Sequence, residues 1–369
     1  MRRGNATTLQ DVAREAGVAP MTVSVVVNGS RSATRVSDAT RERILDAAKR
    51  LSYRPNAAAR GLVQRRMETI GVVGQIETSD VNVYFIEVLT GVLEAATRLE
   101  QNTTVFTVSN WTKDEDRILR FCDGRVDGLI LVAPINMNPE FSERLLRYTP
   151  FVMLHSNTVP ANIDDLDVDN EGGAYAAVRH LTELGHRRIA HFAADLALEG
   201  PRLRLAGYRR ALEDAGIAFD DQLVFHGSFS EHSGRLRVRQ LLRLAEAERP
   251  TAIACVNDEV ACACIDELGK AGLLVPGDFS ITGFDDAPMA RMTQPPLTTV
   301  RQPLRNMGRY AVERLRFRIE EGERINTNAR IAERDSSVEP PQAKIAEPHI
   351  EIFPFELIVR GSTGQRRSA

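Results

Sequence analysis

The sequence of 369 residues predicts an all-α N-terminal head followed by an α/β core of two doubly wound parallel-sheet subdomains. Two observations support this fold class. Residues 9–28 contain two short apolar-periodic runs on either side of a glycine, which is typical of two helices joined by a tight turn. After residue 66, short β-branched apolar runs alternate with helical periods and form two groups, before and after about residue 170. Alternation of this kind predicts parallel sheets covered by helices on both faces.

The head is predicted to contain three helices. Leu9–Ala16 and Pro20–Val27 flank Gly17, where a left-handed residue allows a sharp turn. Thr8 is expected to cap the first helix, Pro20 suits the first position of the second, and Ser37 is expected to cap a third helix, Ser37–Leu51. The pattern indicates a helix-turn-helix that places a short helix in the DNA major groove, with an ordinary helical hairpin as the alternative. The expected apolar contacts are Val12, Ala13, Ala16, Val18, Val23, Val26, Ala39, Ile44, Ala47, Ala48 and Leu51.

The core is predicted from its apolar runs. The expected strands are Thr69–Val73, Thr103–Val108, Gly128–Val132, Phe151–Leu154, Ile189–Phe192, Ala252–Val256, Ser280–Phe284 and, last, Phe355–Val359. The expected helices are Phe85–Arg98, Gly172–Leu184, Leu203–Gly216, His232–Ala247 and Glu259–Ala271. The polar segment Asn326–Pro348 is predicted to be a long surface loop.

Charge is distributed unevenly along the chain. Residues 1–66 hold 13 Lys and Arg against 5 Asp and Glu, a net charge of +8, whereas the other 303 residues carry a net charge of −11. A basic head on an acidic body indicates that one end meets phosphate. No apolar run reaches the ~20 residues that span a bilayer, and the basic N-terminus lacks the apolar region of a secretory signal, so a cytoplasmic protein without membrane contact is expected. Cys122, Cys255, Cys262 and Cys264 show no metal-site spacing and are expected to be buried thiols.

Several motifs resemble one family across nearly the whole chain. TLQDVAREAGV and YRPNAAARGL in the head are followed by IGVV, RVDGLI, LGHRRIA, RLAGY, VND, GFDD and PPLTTVRQP. This set resembles the lactose-repressor/galactose-repressor (LacI/GalR) family of bacterial transcription regulators. The resemblance implies a helix-turn-helix head on a periplasmic-binding-protein-like core. It also implies a ligand-responsive repressor that binds a palindromic operator in double-stranded DNA as a homodimer, associates with the nucleoid when bound, and is not an enzyme.

The resemblance also implies domain boundaries. They are a head at 1–53, a hinge helix and linker at 54–66, and an effector-binding and dimerisation core at 67–369. The chain is expected to cross between the subdomains three times, near Asp169, Pro296–Gln302 and Asn326–Arg330. The first subdomain would then comprise about 67–169 and 301–327, and the second about 170–296 and 330–369.

In the head, the resemblance places Pro20, Met21 and Val25 at base-reading positions. Met21 and Val25 cannot donate hydrogen bonds, so they would pack against thymine methyl groups, with core packing as the alternative. Arg31 and Arg35 lie in a loop, Gly29–Arg35, that is longer than usual and either adds phosphate contacts or is a tolerated insertion. The positions expected to contact phosphates are Thr8, Thr22, Ser24, Asn28 and Tyr53.

The hinge helix is expected at Asn56–Leu62. Seven residues are too few for a helix alone in water, so it should order only in the minor groove between two subunits. Asn56 and Arg60 join the DNA-contacting set, and Leu62 matches a leucine that wedges between base pairs. A plain linker is the alternative.

In the core, the resemblance implies a small-molecule effector, sugar-like or purine-like, and no cofactor. Arg204, Asn257 and Asp285 match cleft positions in the second subdomain, and Tyr84 and Phe85 match an aromatic pair in the first. Phe229 is expected to close the other side, and His155 replaces an acidic residue of many sugar-responsive relatives, which argues against a plain hexose. Alternatives remain: Phe85 as core, Asp285 as a helix cap, and His155 as an ordinary loop histidine.

Two other functions are weighed against regulation. A sugar-binding transport or chemoreceptor component would share the core, but the basic head and the missing signal argue against it. A nucleotide-dependent enzyme is disfavoured because GxGxxG after a strand, GxxxxGK[ST] and GxSxG are all absent from the sequence. The tail Arg360–Ala369 has no apolar heptad, which predicts a dimer rather than a tetramer.

Overall fold

The structure is a computed structural model that describes residues 7–28, 36–56, 61, 66–75, 83–135, 137–155, 163–334 and 347–366, with side chains omitted at 28 and 325–334. The chain divides into two compact units. One comprises Met1–Thr69 with Gly124–Val126, and the other comprises Ile70–Asp123 with Asp127–Ala369. They are called the head and the core below.

The head contains helices α1 (Leu9–Ala16), α2 (Pro20–Asn28) and α3 (Asp38–Arg50). Thr8 Oγ1 accepts a hydrogen bond from the Asp11 amide at 3.3 Å, and the Asp11 carboxylate accepts one from the Thr8 amide at 2.9 Å, so the predicted cap is a reciprocal capping box. Gly17 follows α1 with φ of +64°, as the turn requires. Ser37 caps α3 through the amide of Thr40. The three predicted helices are therefore confirmed.

A small apolar core joins the three head helices. Ala39 is exposed and does not belong to it, contrary to the prediction, because it lies in the first turn of α3 on the side away from Ile44 and Ala47. Val18, Ala48 and Leu51 pack at its edge. The buried members are Val12, Ala13, Ala16, Val23, Val26, Ile44 and Ala47.

The core contains two six-stranded sheets. The first consists of β1 (Thr69–Gln75), β2 (Asn102–Val108), β3 (Gly128–Val132), β4 (Phe151–Leu154), β5 (Asp164–Val168) and β11 (Ile350–Phe353), in the order β11-β5-β4-β3-β1-β2. The second consists of β6 (Ile189–Phe192), β7 (Val224–Phe225), β8 (Ala252–Cys255), β9 (Ser280–Asp285), β10 (Thr298–Arg301) and β12 (Glu356–Ile358), in the order β12-β10-β9-β8-β6-β7. β12 pairs antiparallel with β10, while β9 and β10 pair parallel. The predicted fold class is confirmed.

Helices cover the faces of both sheets. They are α4 (Val83–Arg98), α5 (Glu115–Phe121), α6 (Pro139–Leu146), α7 (Asn170–Glu183), α8 (Glu199–Asp214), α9 (Glu231–Leu241), α10 (Asp258–Lys270) and α11 (Leu304–Arg334). Short 3₁₀ turns lie at Asp221–Leu223, Glu246–Glu248 and Pro288–Arg291. No helix of the described residues is long and apolar enough to cross a membrane. Cys255 and Cys264 are buried, and Cys122 and Cys262 are half-buried.

The predicted third crossing near Asn326–Arg330 is wrong. Those residues lie inside α11, which extends to Arg334, so at least the first nine residues of the predicted loop Asn326–Pro348 are helical. Residues 323–334 contain neither glycine nor proline, and polarity alone does not end a helix. The chain instead returns to the first sheet as β11 and crosses between β11 and β12, at Pro354–Phe355. Residues 350–353 therefore belong to the first subdomain.

Two glycines allow α4 and α11 to pack backbone against backbone. A Cβ atom on Gly91 would lie 2.1 Å from the Arg305 carbonyl oxygen, and one on Gly308 would lie 2.2 Å from the Val88 carbonyl oxygen. This close approach holds α4 in place on the first sheet. The start of α4 carries Tyr84 and Phe85, so the helix contact also positions these two side chains.

Gly91→Ala is expected to destabilise the core by about 1–3 kcal/mol, because backbone atoms of α11 cannot move aside as a side chain would. Gly322→Ala in α11 is the matched control, since a Cβ atom there meets nothing within 4 Å. It should stabilise the helix by about 0.5–1 kcal/mol. Urea unfolding of the two variants measures both effects, and equal stability of the two would contradict the packing argument.

Candidate effector cavity and DNA-binding head

A cavity of about 330 Å³ lies between the two subdomains of the core. Its lining residues come from the carboxyl ends of strands in both sheets, where open parallel sheets present loops to ligands. His155 follows β4, Asp285 ends β9 and Gln302 follows β10. The structure brings all seven residues predicted for effector binding to this cavity, namely Tyr84, Phe85, His155, Arg204, Phe229, Asn257 and Asp285.

The aromatic pair at the start of α4 contacts both the apolar core of the first subdomain and the cavity. Phe85 is 5% exposed and belongs to the apolar core of the first subdomain, so its alternative interpretation as a core residue holds alongside its place on the cavity. Tyr84 packs edge-on against the His155 imidazole, with ring centroids 5.2 Å apart. The Tyr84 hydroxyl is buried and has no hydrogen-bond partner among the described residues.

Arg204 is a buried cation in α8. Its Nε donates to Asn170 Oδ1 at 2.8 Å, and Nη1 donates to the Val256 carbonyl oxygen. The guanidinium carbon lies 3.7 Å from the ring centroid of Phe284, as in a cation–π contact. Burial lowers the pKa of Arg204, and the carboxylate of Asp285 opposes that shift. Nη2 has no partner within the described part of the chain, so one donor edge of the fork is left for a ligand.

Asp285 provides an acceptor opposite this cation. Gln302 Nε2 donates to its carboxylate at 2.6 Å. Burial raises the pKa of Asp285 to about 6, and the charge of Arg204 limits the rise. Asp285 does not cap a helix: the next helical turn, Pro288–Arg291, begins after Ala287 without a side-chain cap.

The second aspartate of the GFDD motif has a different role. Asp286 accepts hydrogen bonds from Arg291 at 3.1 Å, Arg301 at 2.7 Å and Arg360 at 2.5 Å. The three arginines hold the pKa of Asp286 below its ordinary value although burial opposes them. Asp286 therefore ties the end of β9 to β10 and to the C-terminal segment.

A second buried carboxylate lies behind Asp285. Asp258, at the start of α10, accepts hydrogen bonds from the Thr299 hydroxyl at 2.5 Å and from the Ala287 amide at 2.8 Å. Burial raises the pKa of Asp258 to about 8, and the negative charge of Asp285 adds to the rise. Asp258 therefore holds its proton more tightly than an exposed carboxyl group does.

Asn257 acts on the cavity through the backbone of Phe229. Its Oδ1 caps α10 by accepting from the Val260 amide at 3.0 Å, and its Nδ2 donates to the Phe229 carbonyl oxygen at 3.1 Å. Arg237, 1% exposed, holds the same loop by donating Nη2 to the Ser228 carbonyl oxygen at 2.8 Å. The loop that carries Phe229 is thus fixed by side chains from α9 and α10.

His155 pairs with a carboxylate that the sequence analysis missed. His155 Nδ1 lies 2.6 Å from Asp167 Oδ1, and both side chains are nearly buried. Burial alone would raise the pKa of Asp167, but the imidazole lowers it below its ordinary value. Asn170 Nδ2 donates to the same Oδ1 atom at 3.1 Å, so a polar chain runs from Arg204 through Asn170 and Asp167 to His155. This chain links the two subdomains at the base of the cavity.

Sequence reasoning missed Asp167, Asn170 and Gln302 as cavity residues. Asp167 lies in β5, whose sequence, DDLDV, does not read as an apolar run. Their positions in the sequence could have identified them. The polar group DVDN lies at the predicted first crossing, and RQP lies at the second. Polar residues where the chain passes between two sheets are candidates for a cleft.

The head presents its predicted base-reading turn at the surface. Met21 is 73% exposed, so the alternative that it packs in the core is wrong. Pro20 and Asn56 are exposed, and Tyr53 packs against the head core. The Thr8 hydroxyl donates to Asp11 within the capping box at 2.7 Å. Three further predicted contacts are half-buried, namely Thr22, Ser24 and Val25. The structure does not describe Arg60, Leu62, the Gly29–Arg35 loop or the side chain of Asn28.

A helix-turn-helix head followed by a two-subdomain core with a cleft is the architecture of a DNA-binding regulator with a ligand-binding domain. Residues 8–56 match the family model described as bacterial regulatory proteins, lacI family, and residues 178–337 match the periplasmic binding protein-like domain. The HTH-type transcriptional repressor PurR of Vibrio atlanticus (strain LGP32) is 34% identical over 319 residues, which cover 85% of this chain and 92% of that protein. The chain therefore belongs to the lacI family of bacterial regulatory proteins.

Other relatives agree with this assignment. The HTH-type transcriptional regulator DegA of Bacillus subtilis (strain 168) is 33% identical over 82% of this chain and 88% of its own length. The crystal structure of the lac repressor dimer bound to operator and the anti-inducer ONPF has a TM-score of 0.79 at 28% identity, covering 98% of this chain and all of that one. The transcriptional regulator CelR–cellobiose complex has a TM-score of 0.68 at 30% identity, covering 96% and 99% of the two chains.

Proposed function

We propose that this protein is a dimeric repressor that binds a palindromic operator and changes its operator affinity when a small molecule fills the cavity. The observation that carries the proposal is the cavity itself. Its polar groups come from both subdomains, with Tyr84 and His155 on the first and Arg204 and Asp285 on the second. A ligand that touches both sets favours one arrangement of the subdomains over others, and only such differential binding shifts a conformational equilibrium.

Cavity charge favours an uncharged effector. Three carboxylates, Asp167, Glu259 and Asp285, and one guanidinium, Arg204, line it, so there is no cationic surplus to hold a phosphate. Its volume of about 330 Å³ is typical of small-molecule sites. A polar base and apolar walls from Phe85 and Phe229 suit a ring with hydroxyl or amide groups. We therefore propose a neutral sugar-like or purine-like effector, and the CelR–cellobiose complex supports the sugar-like class.

Matched pairs of compounds test this preference. Isothermal titration with ribose and ribose 5-phosphate, and with inosine and inosine monophosphate, separates the scaffold from the charge. Cellobiose is titrated as a third scaffold. We expect only the neutral compounds, and not their phosphorylated partners, to bind. Tighter binding of a phosphorylated member than of its neutral partner would refute the proposed effector class.

DNA recognition is assigned to the head. The exposed side chains of Pro20 and Met21 lie at the start of α2, where a recognition helix meets base edges, and Val25 lies one turn later. We also propose that Leu62 inserts in the minor groove. The other positions proposed to contact DNA are Thr8, Thr22, Ser24, Asn28, Tyr53, Asn56 and Arg60.

A second copy of the chain is proposed to pack on the first subdomain. Ile86 and Leu93 are 43% and 44% exposed, and their spacing of seven residues places them on one face of α4. Val105 on β2 is also 42% exposed. Apolar side chains at this exposure on neighbouring elements are typical of an interface between copies.

Selection of random DNA by the full-length protein tests dimeric operator recognition. We expect an enriched palindrome with two half-sites, because one recognition helix per subunit reads one half-site. Sedimentation equilibrium should show a dimer, and Leu93→Glu should give monomers that bind the palindrome weakly. Enrichment of a single half-site by a monomeric wild-type protein would contradict the proposal.

A further inference from the structure

His155 and Asp167 form a dyad among the residues that line the cavity. The Nδ1–Oδ1 distance is 2.6 Å, and the two side chains are 13% and 14% exposed. His155 adopts φ of +51°, a left-handed conformation that costs a non-glycine residue energy and is often retained at functional sites. The other ring nitrogen, Nε2, is buried and has no hydrogen-bond partner among the described residues.

We propose that Asp167 is a positioning residue that fixes His155 so that Nε2 accepts a hydrogen bond from a hydroxyl or N–H group of the effector. This inference rests on the proposed function, because it assigns a specificity role inside the same cavity. A carboxylate can only accept hydrogen bonds, so the proton of a neutral imidazole lies on Nδ1 and the lone pair is left on Nε2. The dyad then supplies a hydrogen-bond acceptor, His155 Nε2, and the neighbouring Tyr84 supplies a hydroxyl.

The surroundings of the dyad support this assignment. Asn170 Nδ2 donates to the Asp167 oxygen that faces His155 and also to the Val168 carbonyl oxygen at 3.3 Å, which holds the carboxylate in place. The His155 amide donates to the Leu166 carbonyl oxygen at 2.9 Å, which fixes the backbone. The edge-on contact with the Tyr84 ring restricts rotation of the imidazole. The ring is therefore held at three points while Nε2 is left unpaired, as a preorganised binding group should be.

The polar atoms around the cavity form a complementary set. Tyr84 Oη and Gln302 Oε1 are likewise buried without partners among the described residues, and Arg204 Nη2 is an available donor. Two acceptors, one donor and one hydroxyl thus belong to residues that line the cavity together with Asp285. This set matches a neutral ligand with several hydroxyl or N–H groups, and an oxyanion would meet acceptors at His155, Gln302 and Asp285.

The state of the ring can be measured without a ligand. Full-length protein labelled with ¹⁵N-histidine is studied by long-range ¹H–¹⁵N NMR at pH 8, and His155→Gln assigns the signal. We expect wild-type His155 to carry its proton on Nδ1, and Asp167→Asn to shift it to Nε2 or to a mixture. Asp116→Asn is the matched control, because Asp116 forms an ion pair with Arg144 at 86% side-chain exposure. A wild-type ring protonated on Nε2, or an unchanged ring in Asp167→Asn, would overturn the inference.

Ligand affinity supplies the second readout. Cellobiose, ribose and hypoxanthine are titrated, and the tightest binder is carried forward. Asp167→Asn and His155→Gln should each weaken its binding about tenfold, and the double variant should lose little more. Wild-type affinity in Asp167→Asn would refute the inference, whereas retained binding in Arg204→Ala would refute the cavity assignment instead. If none of the three binds, the proposed effector class fails and the NMR result alone decides the state of the dyad.

Discussion

Arg204→Ala is expected to abolish the effector response of this protein. The substitution removes the available Nη2 donor from the cavity and leaves the Asn170 and Val256 oxygens without their donor. Loss of a charged hydrogen-bonding group costs about 1.5–3 kcal/mol, which corresponds to roughly 10- to 150-fold weaker ligand binding. Operator binding without ligand should survive if the effector induces, and only the ligand-stimulated part should vanish if it corepresses. Operator affinity against effector concentration measures both cases.

Two further variants separate the loss of a ligand contact from misfolding. Arg202→Ala lies in the same helix, α8, and removes an exposed ion pair to Glu199, so its effector response should equal that of wild type. Arg204→Lys keeps the charge but loses the planar fork, and it should also lack the response. A folded Arg204→Ala protein with a normal response would show that the cavity assignment is wrong.

Deletion of residues 1–66 is expected to abolish operator binding. The deleted segment carries the net charge of +8 and all three head helices, whereas the rest of the chain is acidic. Binding by the intact protein should fall steeply as salt rises, because Lys and Arg contacts to phosphate release counterions. Gel retardation at two salt concentrations measures both effects.

The truncated protein also tests whether the core acts alone. It should remain a folded dimer and bind the same effector, because the core forms its own compact unit from Ile70 onward, apart from Gly124–Val126. Met21→Glu in the intact chain offers a gentler change, since Met21 is exposed and outside the head core. It should weaken operator binding without lowering the melting temperature. Retention of the DNA fragment by the truncated core would contradict the assignment of the head.

The fold was largely predictable because local patterns and tertiary packing agree. The head followed from Thr8, Gly17 and Ser37, whose capping and turn preferences act within a few residues. The strands of both sheets were found where apolar runs are continuous, as in β3 and β8. β5 was missed because its acidic residues are buried by partners distant in sequence: Arg318 reaches Asp164 from α11, at 3.0 Å.

Seven of the residues that line the cavity could be predicted from the sequence, but the hydrogen bonds that connect them could not. Arg204, Asn257 and Asp285 lie in the motifs RLAGY, VND and GFDD, and the other four residues were placed by their positions relative to the family. The link from Arg204 to His155 depends on Asn170 and Asp167, which are neighbours in the chain, but Arg204 reaches Asn170 from 34 residues away and only the folded structure brings His155 to Asp167. The late return of the chain as β11 was missed for a similar reason, since its pairing with β5 depends on partners 185 residues away.

Ligand binding in the core is proposed to control DNA binding by the head. The most direct test is operator affinity of the wild-type protein, measured by fluorescence anisotropy over a range of effector concentrations. We expect a saturable change in operator affinity of about 5- to 150-fold, with a midpoint that follows the affinity of the cavity for that compound. Saturation of the cavity by the compound with no change in operator affinity would contradict this proposal.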